Sequence, residues 1–328
     1  MRKRITYLFY NIKDRIFKQY IQNVKKCKVL DYGGISHQYS CKKYGGKQFL
    51  SGESLQETIT SMINRGKPFM IARFGTVELN FIKAFDFQMK KIYKDSLHIL
   101  QMNAGFSPCN ESYGHQFVSL MKDSMKECEI LLTQCMRLEE YYIRNYMQNT
   151  KYVSHIRNIE PQFYPTDPWT QALKGKRVLI IHPFADTIKN QYQHYSLLFP
   201  NTNILPYFEL QTQKAVQTIA NNKDVRFANW FEALEHMYRE ALEKEFDIAI
   251  IGCGAYGFPL AAMLKKAGKM TIHMGGATQS LFGIKCKRFD EAPDYSHIRQ
   301  FYNTSWTYPN ESETPFDSNK VEGGCYWK

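Results

Sequence analysis

A chain of 328 residues with 44% hydrophobic side chains is long enough for one large α/β domain or two ordinary ones, and it can fill a sizeable core. It contains no run of 18 uncharged apolar residues and no apolar leader with a small-residue cleavage site, so the expected compartment is the cytosol. Eight cysteines without a C-x-x-C pair argue against a zinc site or disulfide framework. The net charge of +12 comes without the zinc-finger spacing, RNP-type motif or long basic groove that nucleic-acid binding would need.

That charge is local. Residues 1–28 carry nine basic side chains against the single acid Asp14, and Ile5, Leu8, Phe9, Ile12, Ile16 and Tyr20 recur at helical spacing. The pattern predicts a basic amphipathic helix, lying either on an anionic membrane surface or docked on its own domain with a solvated basic face. Residues 31–46, rich in Gly, Tyr and polar side chains, read as a linker. The expected organisation is therefore a helix and linker over 1–45, followed by one domain over 46–328.

Ser54-Leu55-Gln56-Glu57 fits a capping box, predicting a helix to about residue 64 that Gly66 stops. Residues 68–74 predict a buried strand, and Gly75-Thr76 separates it from a helical pattern over 77–85. Arg73 to Glu78 thus stands where a strand ends and a helix begins, the place where open α/β sheets bind ligands. Helix-forming composition over 115–149 predicts one long helix or two. A proline-punctuated crossing at 164–169 precedes a strand at 177–182, a helix at 188–199, a short strand at 203–208 and an amphipathic helix at 230–245. The alternation implies an α/β, Rossmann-like, mostly parallel sheet with helices on both faces.

Residues 247–251 form a β-branched run leading into Gly252-Cys253-Gly254-Ala255-Tyr256-Gly257, then a helix at 259–267 and a strand at 270–273. This is a complete G-x-G-x-x-G in strand-to-helix context. Glycines let backbone approach a ligand, and the helix start attracts an anion, so Gly252, Gly254, Tyr256 and Gly257 are candidates to hold a pyrophosphate. The bland alternative is that these glycines serve tight helix-to-sheet packing. A dinucleotide fold also needs an acid at the end of the second strand; that place reads Ile272-His273-Met274-Gly275-Gly276, so NAD is not expected. Gly275 and Gly276 open a second small-residue turn on the same sheet edge, and His273 reads as a satisfied strand-end histidine.

Arg73-Phe74-Gly75-Thr76-Val77-Glu78-Leu79, together with 247–276, resembles the GT-D-fold glycosyltransferases, with landmarks in the same order over 52–290. That group typically has Arg-Tyr/Phe-Gly-Asp-Gly-Glu-Leu/Phe after its first strand, matched here at Arg73, Phe74, Gly75, Glu78 and Leu79. Its later glycines are matched at Gly254 and Gly275. Segments 169–192 and 252–288, with the tail 321–327, are also similar to uncharacterised proteins of bacterial surface-polysaccharide loci.

The resemblance implies transfer from a nucleotide diphosphate sugar, and the expected acceptor is a lipid-linked glycan at the cytoplasmic face; peripheral attachment to the inner face of the plasma membrane is expected from the basic amphipathic segment 1–28. Arg73, Gly75 and Thr76 would contact the donor and Glu78 would be the catalytic carboxylate. The family's Asp-x-Glu pair also engages a divalent metal, Mn or Mg. Here Thr76 replaces the Asp, leaving Glu78 alone and metal dependence in doubt. Read locally, Glu78 is a helix-start acid and Thr76 its N-cap. A non-catalytic nucleotide-binding or assembly protein is the main alternative, and a nicotinamide- or adenosyl-cofactor enzyme the third.

Overall fold

The computed structural model describes residues 2–29, 34–35, 39–220 and 222–328, without the side chains of Arg2, Lys90 and Lys91. Its strands are β1 (Lys43–Tyr44), β2 (Lys47–Leu50), β3 (Phe69–Arg73), β4 (Ile130–Thr133), β5 (Tyr152–His155), β6 (Arg177–His182), β7 (Glu209–Lys214), β8 (Ile248–Ile251) and β9 (Met270–His273). They form one sheet in the order β1-β2-β5-β4-β3-β9-β8-β6-β7. Every pairing is parallel except that of β1 with β2. The helices are α1 (Arg2–Asn23), α2 (Gly52–Arg65), α3 (Thr76–Asp86), α4 (Lys90–Ala104), α5 (Glu111–Met125), α6 (Glu139–Tyr146), α7 (Ala185–Tyr192), α8 (Tyr195–Leu198), α9 (Trp230–Leu242), α10 (Gly257–Lys266), α11 (Lys287–Glu291) and α12 (Ser296–Arg299).

Alternate residues of each central strand enter opposite cores. Met70 and Ala72 join Phe81, Phe117, Trp230 and Leu260 of α3, α5, α9 and α10 on one face. Phe69 and Ile71 join Ile59 of α2 and Ile188 of α7 on the other. Burial on both faces is why these strands read as continuous apolar runs, and the predicted Rossmann-like α/β sheet with helices on both faces is what forms.

Several local expectations are corrected. Residues 115–149 are not helical throughout: β4 interrupts them, fully buried between β3 and β5. Three apolar residues and a threonine between helix formers carry no periodicity that distinguishes strand from helix. The strand expected at 203–208 lies instead at β7, where it pairs with β6 over six residues. The cap of α2 is Ser51, whose side chain accepts the Ser54 N–H, rather than Ser54; Gly66 ends the helix at φ 65°, as expected. Of the presumed linker, 31–33 and 36–38 lie outside the described residues, while 43–50 forms the β1–β2 hairpin.

Candidate active site

Because the sheet is parallel, β3, β6, β8 and β9 deliver their last residues to one edge. Register aligns Ile181 with Ile251 and Ile251 with His273, so His182, Gly252 and Met274 emerge side by side. The connection from β6 runs outward to β7 and that from β8 runs the other way to β9. This reversal opens a crevice between the two strands, the usual ligand position of such sheets. A cavity of about 580 Å³ lies there, lined by Arg73, Gly75, Thr76, Glu78, Gly252, Gly254, Tyr256, Gly275 and Gly276 among others. Of the residues singled out from sequence, Gly257 does not line it.

What a Cβ would meet separates the roles of these glycines. At Gly252 it would stand 2.6 Å from His182 Cδ2 and 2.7 Å from the Gly275 carbonyl. At Gly257 it would overlap the His273 ring, and at Gly75 it would overlap the Glu78 carboxylate. At Gly275 it would come 2.8 Å from Arg73 Nη1, and at Gly276 2.9 Å from Tyr326 Cε1. These five make room for neighbouring side chains. Gly254 differs: at φ 58° nothing lies within 4 Å of its Cβ position, so its backbone faces open cavity.

Gly75, not Thr76, is the N-cap of α3, and no side chain caps that helix. Thr76 is therefore its first helical residue and contributes no cap. Glu78 folds back over Gly75 and is 92% buried, with relative exposure of 8%. Burial raises its pKa. Its own backbone N–H and the Arg73 charge pull it back, while Glu322 pushes it further up. A carboxyl so placed is a better proton acceptor near neutrality than an exposed one. Arg73 Nε donates a long 3.4 Å bond to the Phe74 carbonyl, and its guanidinium borders the cavity.

His182 and His273 are neutral. Burial pushes the pKa of each down to about 3, helped at His273 by the Arg73 charge. His182 Nδ1 accepts the Phe184 N–H at 3.0 Å, and His273 Nδ1 lies 3.1 Å from the Ile251 carbonyl, to which it donates. His273 is thus the satisfied strand-end histidine expected. Tyr256 stacks on Trp230 at 4.6 Å and 8°, leaving its hydroxyl 3.2 Å from Thr218 Oγ1 at the cavity wall.

Sequence reasoning missed another part of the cavity lining. Arg288 at the start of α11 places Nη2 2.5 Å from Glu322 Oε2 and its guanidinium 4.5 Å over the Tyr326 ring. The tail carrying Glu322 and Tyr326 is pinned by buried Val321 and Trp327 and by Lys287 N–H to the Trp327 carbonyl, 2.7 Å. Further round, Arg157 Nε pairs with Glu160 Oε1 at 3.0 Å, and Glu160 Oε2 with His297 Nε2 at 2.6 Å. Arg157, Glu160 and His297, buried and paired with one another, shape the wall without leaving a free ion. The aromatic, glycine-containing tail was a visible signal; nothing local marks Arg157 or Arg288.

The donor set does not fit a hard divalent cation. Glu78 is turned back on its own helix start and Glu322 is engaged by Arg288. Among the described residues no group of three or more His, Cys, Asp or Glu could hold a metal ion, whereas Mg²⁺ and Mn²⁺ take about six oxygens.

No family model matches the chain, and no curated protein matches it. A solved structure described as "The highly conserved domain of unknown function 1792 has a distinct glycosyltransferase fold" aligns with 82% of this chain and 93% of its own, at 13% identity and a TM-score of 0.37. That description names the class of fold which Arg73–Leu79 and 247–276 resemble. Likeness at this level carries no inference about activity, which rests on the cavity.

Proposed function

We propose that this protein transfers a sugar from a nucleotide diphosphate sugar to a lipid-linked glycan acceptor of surface-polysaccharide assembly. The observation that carries the reading is the convergence on one cavity of a cation, Arg73, an open backbone turn at Gly254 and a buried carboxylate, Glu78. A diphosphate needs positive charge and close backbone approach, and sugar transfer needs a group to orient or deprotonate a hydroxyl. Arg73 faces the donor charge through a planar fork of donors, with Arg288, also in the cavity lining, able to add a second. Gly254 and Tyr256, in the turn that leads into α10, receive the phosphates. Gly252, Gly257, Gly275 and Gly276 act indirectly, by seating His182, His273, Arg73 and Tyr326. Glu78 takes the sugar or acceptor hydroxyl. The reaction is assigned to the cytoplasmic face of the plasma membrane, with peripheral attachment; among the described residues no helix is long and apolar enough to cross a bilayer.

Glu78→Gln tests the assignment. The amide keeps the shape but loses the basicity, so turnover of the donor that most stabilises the wild type should fall by about 100-fold or more while the fold survives. Thr76→Ala, which removes no cap, should leave stability within about 0.5 kcal/mol and turnover near normal. Wild-type turnover by a folded Glu78→Gln variant would place the chemistry elsewhere.

A further inference from the structure

Helix α1 is docked, but not by the face its sequence advertises. Its contacts with the domain come from one side. Tyr7 meets Phe87 and Tyr10 meets Tyr141, with ring centroids 5.4 and 5.3 Å apart; Lys13 Nζ reaches Glu140 at 2.5 Å. Phe17 packs on Tyr39 and Tyr44, Lys18 donates to the Cys135 carbonyl, and Ile21 is fully buried. Arg137 reaches up to Asn11 and Tyr7.

The amphipathic row points the other way. Ile5, Leu8, Phe9, Ile12 and Ile16 are 62%, 57%, 60%, 56% and 64% exposed. At 3.6 residues per turn they fall in one stripe, roughly opposite Tyr10, Asp14, Phe17 and Ile21. Arg4 and Arg15 run along one border of the stripe, and Lys25 and Lys26 follow its end, all exposed. The expected alternatives of membrane contact and self-docking are therefore compatible: the helix has an anchored side and an unpartnered apolar side.

We infer that the outward stripe of α1 is a docking surface for an anionic lipid bilayer. Charge decides the occupant. A stripe bordered by exposed Arg4 and Arg15 and followed by exposed Lys25 and Lys26 would set like charges against one another in a symmetric contact with a second copy, whereas an anionic surface attracts all four. Because the anchoring contacts lie on the far side, the helix can bury the stripe at the headgroup level without leaving the domain. The domain would then be held at a fixed attitude to the membrane.

The test uses the full chain and vesicles of phosphatidylcholine with about 30% phosphatidylserine. The wild type should co-sediment with them. Affinity should fall about tenfold or more when salt rises from about 50 to about 500 mM, or when phosphatidylserine is omitted. The double variant Leu8→Glu, Ile12→Glu touches only exposed positions, so it should keep the wild-type melting temperature while losing vesicle affinity about tenfold or more. No vesicle binding by the wild type, equal binding by the folded double variant, or a wild-type dimer that the variant turns into monomer would each overturn the inference, the last by making a second copy the occupant. Vesicle binding is read without donor or acceptor, so this result and the transferase reading stand or fall separately.

Discussion

Gly254→Ala puts the cavity to the sharpest test, because Gly254 is the glycine of the turn whose missing side chain leaves open space. A methyl group there meets nothing within 4 Å, so no packing is disturbed. The cost is conformational: a left-handed φ of 58° in a non-glycine residue costs about 1–2 kcal/mol, partly offset by about 0.4–1 kcal/mol of reduced unfolded-state freedom. The net, about 1 kcal/mol, should lower the melting temperature by about 2–4 °C or less in a chain of this size. The methyl would, however, occupy the space through which a phosphate oxygen approaches the turn. Losing one charge-assisted hydrogen bond is worth about 1.5–3 kcal/mol, so the Kd should rise at least about tenfold. Gly252→Ala is the control. Its Cβ would press on His182, the Gly275 carbonyl and Thr278 Oγ1 at 2.6–2.7 Å, costing about 1–3 kcal/mol of stability through overpacking. Titration calorimetry with the nucleotide sugar giving the largest thermal shift, alongside thermal melts, separates the two effects. A well-folded Gly254→Ala variant with wild-type affinity would refute the reasoning and reduce the turn to packing.

The other predictions concern charge. Glu139, wholly buried and bonded to the Thr133 hydroxyl and the Met136 N–H, has its pKa pushed by burial from 4.5 to about 7. The folded pKa is the higher one, so its contribution to stability is full below about pH 4.5 and lost as pH rises through 7; Glu139→Gln should gain about 2–3 kcal/mol on the wild type between pH 5 and pH 8 in denaturant unfolding, and a constant difference would refute this. If Arg288 serves the donor, Arg288→Gln should weaken nucleotide binding about tenfold, while Glu322→Gln, which releases the guanidinium, should tighten it about twofold or more; a loss in both would make the pair purely structural.

Much of the fold was legible because its central strands are largely apolar runs with Gly or Pro close behind: 177–182 and 270–273 coincide with β6 and β9, whereas polar β7 was misplaced. β4 was hidden because Ile130–Thr133 sits among helix formers and becomes a strand only when β3 and β5 flank it. The exposure of the α1 stripe was beyond sequence for a related reason. Tyr7, Tyr10, Phe17 and Ile21 are apolar too, so the helix has two usable faces, and only the aromatic residues of the domain beneath decide which is buried.

The G-x-G-x-x-G pattern shows why sites are read less completely than folds. Its three glycines do three different things: Gly252 clears His182, Gly254 faces the cavity and Gly257 clears His273. Pattern matching weighs them equally, because the side chains that fill the space beside two of them come from other strands, β6 and β9. The same holds for charge. Arg73 and Glu78 announce themselves, lying five residues apart across a strand-to-helix turn. Glu322 and Tyr326 reach the cavity because Val321 and Trp327 bury the tail that carries them, and Arg288 joins them from α11. Local sequence specifies where backbone can approach a ligand; tertiary packing supplies the walls that decide which ligand fits. Substitutions in the tail should therefore change the choice of donor more than those in the glycine turn, which should change how tightly any donor is held.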